Sequence, residues 1–394
     1  MRYLLSLLLF LAPTYLIRFE LFGLNTNLLM LALFTVMTVF IFWVVKNKLV
    51  VDFIRSLQVI GRRLLIFLLL FLIFGLISLL HQGFTIPKLG QFIVLFLEPI
   101  GIFFVIRYLK QRSELDIEAF IRHTSMLLAG LGLFSLIQYY FLVFLDPLYW
   151  GNSVSARRST ALWVHPNEFA LFLLPLLAFL LPRVFQEWRE SGKYRFHFIV
   201  CYILGSIGLF YSQSRSALLI FVLILALFFA SKLKKRQLVK LFLLGLLIFW
   251  AIWQTDFKWR LRAPFYGDRA VSERAILGNM GLSMIRDNQL LGLGLTGFGS
   301  NFYKYYPTEG EVSTHYNSPH NWFLNFWVDT GIGGMISITA ITFLGIWITY
   351  KRRKNLIQYS IALFLIALFL QGQLDTAYLR NDLALLYWMF IALT

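Results

Sequence analysis

The sequence predicts an all-α polytopic membrane protein of about twelve transmembrane helices, with one large extracytoplasmic loop between spans 9 and 10 and both termini cytoplasmic. Three observations predict it. Apolar residues make up 59% of the 394 positions, aromatics 18% and charged residues only 14%, which is outside the usual composition of soluble domains. Apolar runs long enough to cross a hydrocarbon core about 30 Å thick follow one another along the chain. Basic clusters recur in every second connection.

The apolar runs lie at roughly 3–22, 28–45, 64–80, 90–109, 124–145, 168–186, 196–211, 216–231, 238–254, 321–349, 356–373 and 379–394. The first, within "MRYLLSLLLFLAPTYLI", has a short charged start but no small-residue cleavage site after it, so it reads as a span. With little polar chain left over, residues 1–394 read as a single integral membrane domain. Basic clusters follow the second run (Lys46, Lys48, Arg55, Arg62, Arg63), the fourth (Arg107, Lys110, Arg112, Arg122) and the sixth (Arg183, Arg189, Lys193, Arg195). They recur after the eighth (Lys232, Lys234, Lys235, Arg236, Lys240) and the tenth (Lys351 to Lys354), and the five clusters together hold 22 of the 36 Lys and Arg residues. The positive-inside rule puts these loops in the cytoplasm and turns residues 146–167, 212–215 and 255–320 outward. The net charge of +17 is therefore topological and implies no nucleic acid. The one cysteine, Cys201, lies in an apolar run, which excludes a disulfide framework and a thiolate metal site.

Residues 255–320 are too many for a simple connector, and loops of that length usually carry function. Within them "SERAILGNMGLSMIRDN" has the spacing of an amphipathic helix, with Ile276, Met280, Met284 and Ile285 on one face. "GLGLTGFG" contains the letters of a dinucleotide fingerprint at Gly292, Gly294 and Gly297, but it lacks the strand and helix context of one. It reads as a glycine-rich turn that lets backbone amides approach a phosphate, or as a loop that packs closely. No internal repeat is visible, which leaves an inverted-repeat transporter without support.

Candidate site residues are polar groups placed where hydrocarbon begins. Arg215, between two serines in "YSQSRSALL", is a cation at a depth where such residues face a cavity or a counter-charge, and it suits a lipid-linked diphosphate. Arg157 and Arg158 precede "STALWVHPNEFALFLL", where Pro166 and Glu168 open a helix and His165 stands at its boundary. Glu98, inside the fourth run, is a carboxylate that needs a partner or a cavity. His320 and Asn321 open the tenth run after Pro319. An imidazole there can take a proton from a sugar hydroxyl if arginines hold a departing phosphate nearby. His315 and His320 are five apart without a carboxylate cage, so no metal site is expected, and no cofactor.

His320-Asn321, nine residues, then Gly331-x-x-Gly334 resembles the signature of the O-antigen ligase and Wzy-type polymerase superfamily. "RSTALWVHPNEFA" resembles that family's Arg…Pro-Asn-x-Phe-Ala segment and "SQSRSALL" its Ser-Arg span junction. "SERAILGNMGLSMIRDNQLLGLGLTGF" resembles its Arg-led helix ending in Gly-x-Gly-x-x-x-Phe, so the likeness covers about 150–334. Two departures are Ala161, where a glycine is common, and His165, where an asparagine often precedes the proline.

The resemblance implies a bacterial inner-membrane glycosyltransferase with its site on the extracytoplasmic side. It would transfer a glycan from undecaprenyl diphosphate to a saccharide hydroxyl, on a lipid A core or on another lipid-linked glycan, by a metal-independent inverting route. His320 would be the base, Arg215 and Arg274 would bind the diphosphate, Arg158 would line the same cavity, and Lys88 would assist; Asn321 and Glu98 complete the substrate-binding candidates. The spacing of the His-Asn signature favours a ligase over a polymerase. Two other readings compete: a flippase or exporter of lipid-linked sugars, and a transferase using a monosaccharide on polyprenyl phosphate. The second usually carries an acidic motif in its first outer loop, where only Glu20 is close.

Overall fold

The computed structural model describes all residues except 22–23, 82, 152–155, 233, 235–236, 238–268 and 307–314. The fold is all-α and polytopic. Eight helices among the described residues are long and apolar enough to cross a membrane, and three shorter apolar helices accompany them. The chain divides into two compact units, one of residues 1–124 and 274–394, the other of residues 125–273.

The first unit opens with α1 (Leu4–Leu11), a 3-10 turn through Pro13, and a two-stranded antiparallel hairpin of β1 (Arg18–Leu21) and β2 (Leu24–Asn27). Here the structure departs from the span expected over 3–22, because Arg18 and Glu20 alternate with apolar residues and that period suits a strand. Asn27 then caps α2 (Leu28–Lys46) by accepting from the Met30 amide at 2.9 Å. The unit continues through α3 (Val50–Gln58), α4 (Arg62–Leu80), α5 (Ile86–Phe92) and α6 (Glu98–Gln111). α7 (Ile117–Phe141) begins in this unit and runs on into the second.

Between α5 and α6, residues Ile93–Leu97 form a π-helical turn just before Pro99. Proline has no N–H to return to the Leu95 carbonyl one turn back, and Tyr378 Oη donates to that carbonyl instead, at 2.6 Å.

The second unit is built on α8 (Pro166–Arg189), buried along most of its length, against which α9 (Arg195–Ser212) and α10 (Arg215–Lys232) pack. The ninth expected span, 238–254, and the basic residues Lys235, Arg236 and Lys240 lie outside the described residues.

The chain returns to the first unit with α11 (Arg269–Asp287), whose last turns lead into two short helical turns, Gly297–Ser300 and Phe302–Tyr305. α12 (Trp322–Lys351), α13 (Leu356–Gly372) and α14 (Asn381–Ala392) complete it. α14 is apolar on every face and buried from Asp382 onward, as a helix without a polar stripe must be. Around it Trp388, Tyr378, Phe71 and Phe103 form an aromatic core, with Phe71 and Phe96 stacked at 4.6 Å between centroids.

Candidate functional site

α11 is the amphipathic helix that the spacing predicts. Met280, Met284 and Ile285 are buried and Ile276 partly so, in one cluster with Leu293, Phe298, Phe302 and Val328. This packing seats α11 against the start of α12, and at Gly281 the Pro319 ring lies so close that an added Cβ would stand 3.2 Å from it. Arg274, near the beginning of α11, is thereby held beside the turn that precedes α12.

That turn is Ser318-Pro319-His320-Asn321. Asn321 is the N-cap of α12: its Oδ1 accepts from the amides of Phe323 at 3.0 Å and Leu324 at 3.2 Å. Its Nδ2 donates to the Gln373 carbonyl at 3.1 Å, tying the helix start to the loop between α13 and α14. His320 has a φ of +53°, in the left-handed region, and its amide turns back to Ser318 Oγ at 3.4 Å. Histidine is among the few side chains enriched in that region, and strain of this kind gathers at functional sites.

The consequence of the turn is a three-residue cluster. His320 Nδ1 lies 3.0 Å from Asp375 Oδ1, and Arg274 Nη2 lies 3.8 Å from the other carboxylate oxygen. The Thr376 amide donates to Asp375 Oδ1 at 2.9 Å, and the Tyr316 ring stands edge-on to the imidazole at 5.6 Å. Asp375 is buried, whereas His320 and Arg274 keep 24% and 32% of their side-chain surface exposed. Burial pushes the Asp375 carboxyl up, but the His320 hydrogen bond and charge, the Arg274 charge and the Thr376 amide outweigh it and hold it below the ordinary carboxylate value.

The glycine-rich stretch resolves toward close packing. Gly292, at φ +66°, presses its Cα against the Val328 and Trp327 carbonyls, and the Leu293 amide donates to Val328 O at 2.6 Å. α12 admits the loop because it breaks at Gly331, where φ is +69° and ψ 179°. There an added Cβ would lie 2.1 Å from the Leu290 carbonyl oxygen.

The remaining candidates occupy other places. Lys88 is buried, and its Nζ donates to the carbonyls of His81 at 3.0 Å and Gly83 at 2.9 Å, beyond the end of α4. Its ammonium serves the backbone beside Gly294, which packs on the same His81 carbonyl. Glu98 is buried at the π-helical junction, and its Oε2 has no hydrogen-bond partner among the described residues. Asp375 does not gather either of them.

Arg158 and Arg215 belong to the second unit. Arg158 Nε donates to the Ser212 carbonyl at 3.1 Å, three residues before Arg215, and its Nη2 donates to Asn167 Oδ1 at 2.7 Å. Arg215 opens α10 after Gln213, which takes φ +50° to turn the chain from α9. Buried Gln138 tethers the backbone that follows Arg158. Gln138 Oε1 accepts from Ser159 Oγ at 2.7 Å and from the amides of Thr160 and Ala161 at 2.9 and 2.8 Å. Ala161, which departs from the resembled pattern, sits at φ +47°, where glycine is the relaxed choice. His165 Nδ1 is bonded to Tyr149 Oη, and the helix start at Pro166 accounts for its place. His315 Nε2 contacts the Gly299 carbonyl at 3.0 Å. Among the described residues, no three His, Cys, Asp or Glu side chains come together as metal ligands do.

Asp375 is the member of this cluster that motif reading misses. Its signal is an acidic residue in "QGQLDTAYLRND", a short polar break between two apolar runs, and that break is one of many. A family model described as O-antigen ligase matches residues 200–339, a stretch containing Arg215, Arg274, His320 and the Gly331 break. No protein of curated function matches the chain.

Proposed function

The chain carries over residues 200–339 the domain of the O-antigen ligase and Wzy-type superfamily, and from that premise we propose a membrane glycosyltransferase acting on an undecaprenyl-diphosphate-linked glycan. The observation that supports this reading is the Asp375 carboxylate shared between His320 and Arg274. An ionised carboxylate only accepts hydrogen bonds, so Nδ1 of His320 carries the proton of that pair. In the neutral ring Nε2 then holds the lone pair.

The step balances as a displacement. The acceptor hydroxyl oxygen bonds to the anomeric carbon as its proton passes to His320 Nε2. The bond from that carbon to the diphosphate oxygen breaks, and its electron pair leaves on undecaprenyl diphosphate. Attack from the face opposite the leaving group inverts the centre. Arg274 spends one edge of its guanidinium on Asp375 and keeps further N–H donors for phosphate oxygens, whose charge grows in the transition state. Arg215 and Arg158, in the second unit, are our further candidates for diphosphate binding. Asn321 and Lys88, whose polar atoms hold backbone, act as positioning residues, and Glu98 is a secondary binding candidate. The reacting side is extracytoplasmic, in a bacterial inner membrane, with both termini inside.

The spacing of the His320-Asn321 signature favours a lipid A core as acceptor over a second lipid-linked glycan. Supplying lipid-diphosphate-linked repeat units alone separates the two, since chain growth without a core means polymerase. The central test is His320→Ala in purified protein. Product formation falls by roughly 10²–10⁴-fold while donor binding stays, and wild-type product formation by this variant would remove the base. A flippase would instead keep its transport.

A further inference from the structure

A cavity of about 440 Å³ in the first unit lies at one common end of three long helices. Arg62 and Arg63 enter it from the start of α4, Arg107 from the last turns of α6, and Arg352 from the residue capping α12. Among the described residues no Asp or Glu lines it. Among the described residues the guanidiniums of Arg62, Arg63 and Arg352 make no hydrogen bond or ion pair. Arg107 gives its Nη1 to the backbone oxygens of Ala392 and Thr394, the latter residue also in the cavity wall, yet among the described residues its buried Nε–H has no acceptor. Arg107 and Arg352 are close enough to repel one another.

Four cations around one space with no acidic side chain in its wall favour an anion, because like charges at partly desolvated positions raise one another's energy. Two other cavities among the described residues differ on this point. That beside the β1–β2 hairpin pairs Arg18 and Arg380 with Glu20 in its wall, and that beside Arg2 contains Glu114, Asp116 and Glu118. The arginine cavity also has an apolar wall, formed by Leu64, Leu344, Trp347 and Ile348. Leu64 and Leu344 belong to α4 and α12, helices long and apolar enough to cross a membrane, and Trp347 is 57% exposed with Lys351 Nζ 4.4 Å over its ring. Cations at the mouth and hydrocarbon along one side match an amphiphile rather than a soluble anion. A free phosphate would use the arginines and leave the apolar wall wet.

We propose that this cavity binds the phosphate headgroup of an anionic phospholipid, with guanidiniums of Arg62, Arg63, Arg107 and Arg352 around the phosphate and an acyl chain along Leu64, Leu344 and Ile348. It is separate from the His320 cluster and takes no part in the transfer step.

The experiment measures the thermal midpoint of the delipidated full chain in neutral detergent. Phosphatidylglycerol, phosphatidylcholine of the same acyl chains and inorganic phosphate are each titrated in. The glycerol lipid raises the midpoint with at least tenfold tighter half-saturation than the choline lipid, and inorganic phosphate does not raise it. In an Arg62→Gln/Arg352→Gln variant the unliganded midpoint stays near wild type and the preference for phosphatidylglycerol is lost. Equal response to both lipids overturns the proposal, as does a response to inorganic phosphate alone. If the double variant does not fold, Arg63→Gln is read the same way, and a full phosphatidylglycerol preference in a folded variant also overturns it.

Discussion

Asp375 and His320, 55 residues apart in the chain, meet at 3.0 Å through the imidazole Nδ1, and the carboxylate turns its second oxygen to Arg274. The contact engages Nδ1 and leaves Nε2 as the other ring nitrogen, and it ties the loop after α13 to the start of α12.

Asp375→Asn tests the tautomer. An amide side chain fits the same space but can donate to Nδ1, which moves the ring proton to Nε2 and blocks the base. Turnover falls by roughly 10²–10⁴-fold, with donor affinity within a few fold of wild type, measured by single-turnover product formation and equilibrium donor binding. Unchanged turnover would show that Asp375 does not orient the base.

The same carboxyl gives a pH dependence with a defined sign. Its folded value lies below the ordinary 3.8, so the folded state binds its proton less readily than the unfolded chain. The stability it contributes is fully present above the unfolded value and is lost as pH falls through the folded one. Thermal midpoints of wild type and Asp375→Asn, compared between about pH 5 and pH 3, below the ordinary titration range of an imidazole, should keep a constant gap down to about pH 4. Below that the gap should close. A gap that widens on acidification contradicts the ordering of the two values.

Two glycine substitutions should move in opposite directions. At Gly331 the backbone is in a region that only glycine occupies without strain, and a Cβ there meets the Leu290 carbonyl at 2.1 Å. Gly331→Ala should destabilise by about 3 kcal/mol or more and undock the 290–297 loop. Gly278, inside α11, has nothing within 4 Å of an added Cβ. Gly278→Ala should stabilise by up to about 1 kcal/mol through helix propensity. Thermal scans in detergent read both, and equal effects would discount the docked loop.

Gln138→Leu tests how Arg158 is held. It leaves the Thr160 and Ala161 amides and the Ser159 hydroxyl without their buried acceptor, a loss of about 3 kcal/mol. Donor affinity should drop several fold through the displaced Arg158 segment, while the single-turnover rate at saturating donor changes little. A rate loss with unchanged affinity would place Arg158 elsewhere in the reaction.

Hydropathy alone located the long helices. α2, α4, α8, α9 and α10 each begin and end within a few residues of the apolar runs, because a residue's preference for hydrocarbon is a property of the residue itself. The face of α11, the cap at Asn321 and the prominence of His320 are equally local, set by helical spacing and by a proline-led helix start. The break in α12 at Gly331, the docking of Gly292 into it and the choice of Asp375 as partner to His320 belong to tertiary structure. Each depends on two segments meeting, and a lone aspartate in a short polar break looks like any other until the fold supplies an imidazole and a guanidinium beside it. The early end of α1 is an intermediate case: the alternation at Arg18 and Glu20 was present in the sequence, but it took the pairing of β1 with β2 to turn that pattern into a hairpin rather than the end of a span.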